Sequence, residues 1–269
     1  MIIISAKQNK HQEFQDFLAK YKKHNSHKLL SIILPVYNEE NTVRKVLETI
    51  PTDESIEILV IDDHSTDNSL QEIKKAKVSN KLKILRHDKN MGYGAAILTG
   101  IKEARGDVLL MMDSDGQHRP EDIYCLIKPI LEKNADLTIG SRYLGKCHYP
   151  LPIKTRLGEA LVEKLIYIFF KTKIMNNQNG FRALNSNLKH LFKNIKYWDF
   201  AFCTEIIIKA ALEGYKIKEC PINLYERAHG ESKIHLTKLT LNLFSCILRY
   251  FIRKIQLMTS NCNHMKKKR

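Results

Sequence analysis

The chain is predicted to fold as an α/β protein, with a mostly parallel sheet flanked by helices and an amphipathic helix at the C-terminal end. Three observations predict this. From Leu29 onward, short apolar runs of strand length alternate with segments of helix-period apolar spacing, the pattern of βαβ units. Hydrophobic residues make up 43% of 269 residues, enough for a core in one large domain. Acidic residues recur just after the apolar runs, where an open parallel sheet binds its ligands.

Element by element, residues 1–28 read as a polar N-terminal extension holding one weak helix from Gln12 to Lys23. Residues 29–234 form the main domain. Its buried strands are Leu30–Pro35, Ile56–Ile61, Leu82–Leu85, Val108–Met112 and Leu137–Ile139. Helices are expected at Glu39–Ile50, Asp67–Val78, Gly94–Ala104 and Glu121–Lys133, with Asn38 capping the first and Glu39 and Glu40 in its positive first turn. The second half is less regular: a helix at Leu157–Phe170, a short strand at Gln178–Leu184 and a helix at Thr204–Leu212. A last strand, Lys216–Leu224, carries Pro221 and so belongs at a sheet edge. Residues 235–269 are a basic amphipathic helix and a Lys-rich tail.

Composition excludes several classes. The six cysteines show no C-x-x-C pair, which argues against a zinc ribbon or a secreted disulfide scaffold and fits a reducing cytoplasm. Met1–Ile4 is too short for a signal-peptide core, and no run of 18 apolar residues could span a membrane. No G-x-S-x-G nucleophile elbow is present. The formal charge is +15, and from Arg227 to Arg269 ten Lys or Arg face one acid, Glu231. That excess favours nucleotides, lipid phosphates or a membrane surface. A nucleic-acid module would interleave base-stacking aromatics with its cations. Here the charge gathers in a loop, a helix and a tail, so nucleic acid is not an expected partner.

Three constellations can carry chemistry. Asp113-Ser114-Asp115 follows an apolar strand, and alternation along a strand turns both carboxylates the same way. With Gln117 two residues on, such a pair suits Mg²⁺ or Mn²⁺ bridging a diphosphate, although D-x-D also occurs in solvated turns. Arg227 and Lys233 flank Gly230 in an irregular stretch, which suits a phosphate clamp as well as an ordinary surface loop. Gly140-Ser141-Arg142 places a guanidinium directly after a strand. Asn90-x-Gly92-x-Gly94 fits a nucleotide loop or a plain turn and helix start, since it lacks the full dinucleotide fingerprint.

In their order and spacing these blocks resemble glycosyltransferase family 2, of GT-A fold, and within it the dolichol-phosphate mannose synthase-like, polyprenyl-phosphate branch. The resemblance runs from about Ser31 to Lys233. It rests on Leu34-Pro35-Val36-Tyr37-Asn38-Glu39, Val60-Ile61-Asp62-Asp63, Asn90-Met91-Gly92-Tyr93-Gly94, Met112-Asp113-Ser114-Asp115-Gly116-Gln117-His118, Ile139-Gly140-Ser141-Arg142, Gly180-Phe181-Arg182, Thr204-Glu205-Ile206 and Arg227 to Lys233. It implies an inverting transfer from a nucleotide-sugar donor, GDP-mannose or a UDP-hexose, to a polyprenyl phosphate or another acceptor. Pro35, Tyr37, Glu39, Ile61 and Asp63 would hold the nucleoside. Asp113, Ser114, Asp115 and Gln117 would bind the metal and diphosphate, with Asp115 and Arg142 in the catalytic set. Arg142, Arg227 and Lys233 would contact phosphates. The family usually has Asp before T-Q-x-G-F-R, where this chain has Asn176, which leaves acceptor preference open.

A phosphate acceptor needs no general base; a sugar hydroxyl would, and Glu205 is the candidate, with a structural role as the competing reading. A sugar-phosphate nucleotidyltransferase, the alternative enzyme class, would carry a glycine- and arginine-rich loop that is absent near Pro35–Glu39. In the C-terminal helix, expected over Leu236–Leu257, Lys238, Asn242, Ser245, Arg249, Arg253 and Gln256 share one face. Leu239, Leu243, Phe244, Ile247, Phe251 and Ile255 share the other. Two readings fit: a surface helix packed on the domain, or an interfacial helix on the cytoplasmic face of a membrane, aided by Lys266–Arg269.

Overall fold

The two longest apolar runs become the centre of the sheet. In the computed structural model, which describes residues 12–19, 30–79, 81–227 and 236–266, β1 (Leu30–Val36) and β2 (Ile56–Asp62) pair in parallel. Almost every side chain of both strands is buried, because helices cover both faces of a parallel sheet. β3 (Lys81–Arg86) pairs with β2 at one edge and alternates partly covered with exposed residues. β4 (Val108–Met111) lies in parallel on the other side of β1. β5 (Leu137–Cys147), β6 (Arg182–Asn185) and β7 (Ile217–Leu224) complete seven strands in the order β3-β2-β1-β4-β6-β5-β7. β6 is antiparallel to both its neighbours, and the other ladders are parallel. The expected α/β fold with a mostly parallel sheet is the one observed, and Pro221 sits on the edge strand β7 as its missing N–H requires.

Helices divide between the two faces. α1 (residues 12–19), α2 (Val43–Thr49), α3 (Ser69–Lys75) and α5 (Ile123–Leu131) share one core with Leu30, Ile32 and Leu34. α4 (Tyr93–Glu103) and α7 (Ala201–Leu212) share the other with Ile33, Leu59 and Ile61. A third cluster joins α7 to α6 (Ile153–Phe170) and α8 (Leu236–Lys266).

Several expectations are corrected. The helix expected in the N-terminal extension is α1, and it packs on the domain: Phe14 and Leu18, four residues apart, are buried, and Phe14 and Phe17 pack on Tyr124 of α5. Residues 20–23 of the expected helix lie outside the described residues. α2 begins only at Val43, so Asn38 does not cap it and Glu39 and Glu40 precede it. Asn38 instead has φ 56, and its side chain accepts from Thr66 N. β5 runs past Ile139 to Cys147, because β7 continues to pair with it beyond a bulge; Gly140-Ser141-Arg142 lies inside the strand.

α8 extends to Lys266 and has three faces rather than two. Leu243, Cys246, Ile247 and Tyr250 are buried against α6 and α7. Arg249 and Arg253 are exposed on a flank. Leu241, Phe244, Leu248, Ile252 and Ile255 form an exposed apolar stripe, so Phe244 and Ile255 part from Leu243 and Ile247, with which they were expected to share one face. No helix among the described residues is long and apolar enough to cross a membrane.

Candidate active site at the strand ends

Because β2 and β4 flank β1 on opposite sides, the chain reverses its direction of sheet growth between them, and the carboxyl ends of these strands form the switch point at which open α/β sheets bind their ligands. The segments after β1, β2 and β4 meet there. Ser114 Oγ donates to Pro35 O at 2.8 Å, and Thr42 Oγ1 donates to Ser114 O at 2.9 Å, which stitches the β4 end to the β1 end. Asn38 N and Glu39 N donate to Ser65 Oγ and Ser69 Oγ, tying the β1 end to the segment after β2.

β4 ends at Met111, so strand alternation does not aim Asp113 and Asp115. They face different neighbours within one site. Asp115 is buried: Oδ1 accepts from Gln117 N at 3.0 Å, and Oδ2 accepts from Arg227 Nη2 at 2.7 Å. The Arg227 fork also reaches Glu39 Oε1 at 3.4 Å. Asp113 and the Tyr93 hydroxyl both stand against Gly180, and Asp113 lies 3.6 Å from His118 Nδ1. Burial raises the Asp113 pKa and the nearby Asp115 charge adds to it, against the pull of His118, Arg227 and Arg182. A Cβ on Gly180 would stand 2.6 Å and 2.7 Å from the Asp113 oxygens and 2.7 Å from the Tyr93 hydroxyl, so only glycine leaves the carboxylate its place. Arg182, buried beneath, donates to the carbonyls of Asn177, Asn179 and Cys203 and shapes that loop.

Other expected residues are placed as follows. Gln117 donates its amide to Tyr225 O at 3.1 Å. Tyr37 and Glu39 are half-buried at the β1 end. Asp63 is buried and accepts from His87, Met91 N and Gly92 N, which makes it the anchor of the 87–92 segment. Ile61 is fully buried in the core, so its side chain is withdrawn from the switch point. Gly92 (φ 91) and Gly94 sit against the Trp198 backbone, with Gly94 N donating to Trp198 O at 2.9 Å. That contact accounts for the glycines as a turn and helix start. Arg142 pairs with Glu159 of α6, which also accepts from the Tyr143 hydroxyl. Burial and then Glu159 push the Tyr143 pKa up to about 12. Lys233 lies outside the described residues.

Glu205 is wholly buried. It accepts from Lys196 N, Tyr197 N and the Tyr250 hydroxyl, a set of partners that favours the structural reading over a base. At the position where the resemblance expects Asp, Asn176 donates Nδ2 to Gly140 O, a bond a carboxylate could not make, and Glu219 receives Asn176 N at 2.8 Å. Sequence reasoning misses His87, Glu159 and Glu219, because no local spacing marks them, and it gives Tyr93 no role beyond its place in the Asn90–Gly94 block.

Among the described residues no group of three or more His, Cys, Asp and Glu could hold a metal ion by itself. Two hard carboxylates are what Mg²⁺ or Mn²⁺ requires when substrate phosphates complete the shell, and a guanidinium already resting on Asp115 indicates a place for a cation. Asp113 and Asp115, with Gln117, would hold it. Such an ion would supply Lewis-acid neutralisation of charge on a bound phosphate group.

Comparison with known proteins agrees with this architecture. The family described as Glycosyl transferase family 2 matches residues 31–192. A UDP-N-acetylglucosamine–dolichyl-phosphate N-acetylglucosaminyltransferase of Methanococcus voltae is 28% identical over 225 residues, 76% of this chain and 90% of that one. A dolichol-phosphate mannosyltransferase of Pyrococcus furiosus is 32% identical over 213 residues, 76% of this chain and 59% of that one. Among solved structures, glucosyl-3-phosphoglycerate synthase of Mycobacterium tuberculosis, in complex with Mn²⁺, uridine-diphosphate-glucose and phosphoglyceric acid, superposes with TM-score 0.64 at 18% identity. The match covers 84% of this chain and 80% of that one.

Proposed function

This chain belongs to glycosyl transferase family 2 and is a glycosyltransferase, and from that premise we propose that it moves a sugar from a nucleoside-diphosphate sugar to a polyprenyl phosphate. The observation that carries the reading is the meeting of Asp113 and Asp115 with Glu39, Ser114 and Arg227 at the switch point between β1 and β4. The nucleoside lies along Pro35, Tyr37 and Glu39. Asp113 and Asp115 would hold a divalent ion that offsets charge on the diphosphate, and Arg142, Arg227 and Lys233 would supply cations for phosphate oxygens. A lipid phosphate is already anionic, so its oxygen can attack the anomeric carbon and displace the nucleoside diphosphate without a protein base, in keeping with the enclosure of Glu205. The exposed stripe of α8 rests on an anionic membrane surface beside the acceptor. The described cysteines are free, which suits the cytoplasmic face.

The test is a screen of GDP- and UDP-sugars with Mn²⁺ or Mg²⁺ and a polyprenyl phosphate, alongside Asp115→Asn. The expected outcome is metal-dependent transfer from one donor, with the variant losing at least about a hundredfold in turnover. Metal-dependent donor affinity that survives unchanged in the variant would remove Asp115 from the site.

A further inference from the structure

Arg227 forms its contacts at the opposite pole from the one expected of a phosphate clamp. Its guanidinium is one-quarter exposed, while the carboxylates it bridges are more enclosed, Asp115 at 6% and Glu39 at 14%. The 2.7 Å bond to Asp115 Oδ2 is a charge-assisted one, and the other Asp115 oxygen is taken by Gln117 N. A divalent ion coordinated by Asp115 needs lone pairs of the carboxylate that Arg227 now engages. Holding both would set a monovalent and a divalent cation within a few ångströms of each other in a partly buried place, where their repulsion is poorly screened.

We propose that Arg227 is a positioning residue that makes cation uptake conditional on the donor, resting on Asp115 and Glu39 until a nucleoside diphosphate offers its guanidinium another anionic partner. This rests on the reading of Asp113 and Asp115 as the metal carboxylates. The diphosphate is the one ligand that serves both cations, because it can accept the Arg227 fork and coordinate the metal. Ion and donor therefore bind as one event. By linkage, the factor by which nucleotide tightens metal equals the factor by which metal tightens nucleotide. An ion arriving alone must break the 2.7 Å Arg227–Asp115 contact and leave the guanidinium its longer one to Glu39 at 3.4 Å.

The test is calorimetry on the full chain with MnCl₂ alone, then MnCl₂ with GDP or UDP, for wild type, Arg227→Gln and Arg227→Lys. Thermal melts verify that each is folded. Arg227→Gln is expected to bind Mn²⁺ alone about tenfold more tightly than wild type, while nucleotide tightens its Mn²⁺ by a much smaller factor. Arg227→Lys keeps the charge without the fork and should fall between them. If nucleotide-supported Mn²⁺ binding is present in wild type but Arg227→Gln binds Mn²⁺ alone no better, the proposal is overturned and the metal site stands. If Mn²⁺ binds neither protein even with nucleotide, the metal site falls and the proposal with it.

Discussion

Gly180 and Asp113 show how little room a single side chain has in this site. Three oxygens stand where a Cβ on Gly180 would be, two on Asp113 and one on Tyr93. Gly180→Ala therefore moves the carboxylate itself. Its stability should fall by only about 1 kcal/mol, since the displaced atoms lie at the strand ends. Metal-dependent nucleotide binding should fall at least about tenfold, because displacements on the order of 1 Å reach the chemistry. Calorimetry and a denaturation curve on the same sample check both halves, and full binding in the variant would show that Asp113 yields freely. The carboxylates themselves were legible in the sequence because their spacing is local. Their partners were not. His87 reaches Asp63 across 24 positions, Glu219 reaches Asn176 across 43, and Arg227 reaches Asp115 across 112, distances at which only the completed topology sets proximity.

At the scale of elements, strands were easier to place than helix starts, and the reason is physical. β1 and β2 are buried on both faces, so their apolar runs are unbroken and their ends are sharp. The segment before α2 carries good capping residues, but Ser65, Asp67 and Ser69 take up the N–H groups of Asn38, Glu39 and Glu40, and the helix waits until Val43. Glu205 on α7 shows the same long-range control. Its carboxylate receives the backbone of Lys196 and Tyr197 and the hydroxyl of Tyr250 on α8, so it fastens three segments together. Burial and then Glu205 raise the Tyr250 pKa, which keeps that hydroxyl a donor. Glu205→Gln sets an NH₂ against N–H donors and should destabilise the protein by about 1–3 kcal/mol in a urea titration. Turnover per folded molecule should stay within roughly threefold of wild type, because loss of a true general base lowers it at least about a hundredfold. A collapse of turnover with stability intact would restore Glu205 as the base.

At the scale of the whole molecule, the charge and the exposed apolar surface coincide on α8. One face of the helix is buried on α6 and α7, which fixes how the remainder is presented. Leu241, Phe244, Leu248, Ile252 and Ile255 then line up away from the domain, and the exposed Arg249 and Arg253 flank them. Ile153, Leu157 and Leu161 on α6 add a second exposed apolar row. A helix that only closed the core would be polar on its far side. An apolar stripe edged with cations is what an anionic bilayer surface receives, the side chains entering the headgroup boundary and the arginines meeting phosphates. Leu248→Ser with Ile252→Ser should leave folding within about 0.5 kcal/mol, since both side chains are largely exposed. The same pair removes roughly 2 kcal/mol of apolar transfer, or about a thirtyfold loss in partitioning to vesicles. Neutralising Arg249 and Arg253 should weaken binding by about 1 kcal/mol for each charge and flatten its dependence on salt. The measurement is co-sedimentation with vesicles of neutral or anionic lipid at low and high salt. Binding of the wild-type chain that needs anionic lipid, weakens with salt and is lost in the serine pair supports docking through α8. If wild type and serine pair sediment alike, the stripe is not the docking surface, and a soluble acceptor fits the enzyme better.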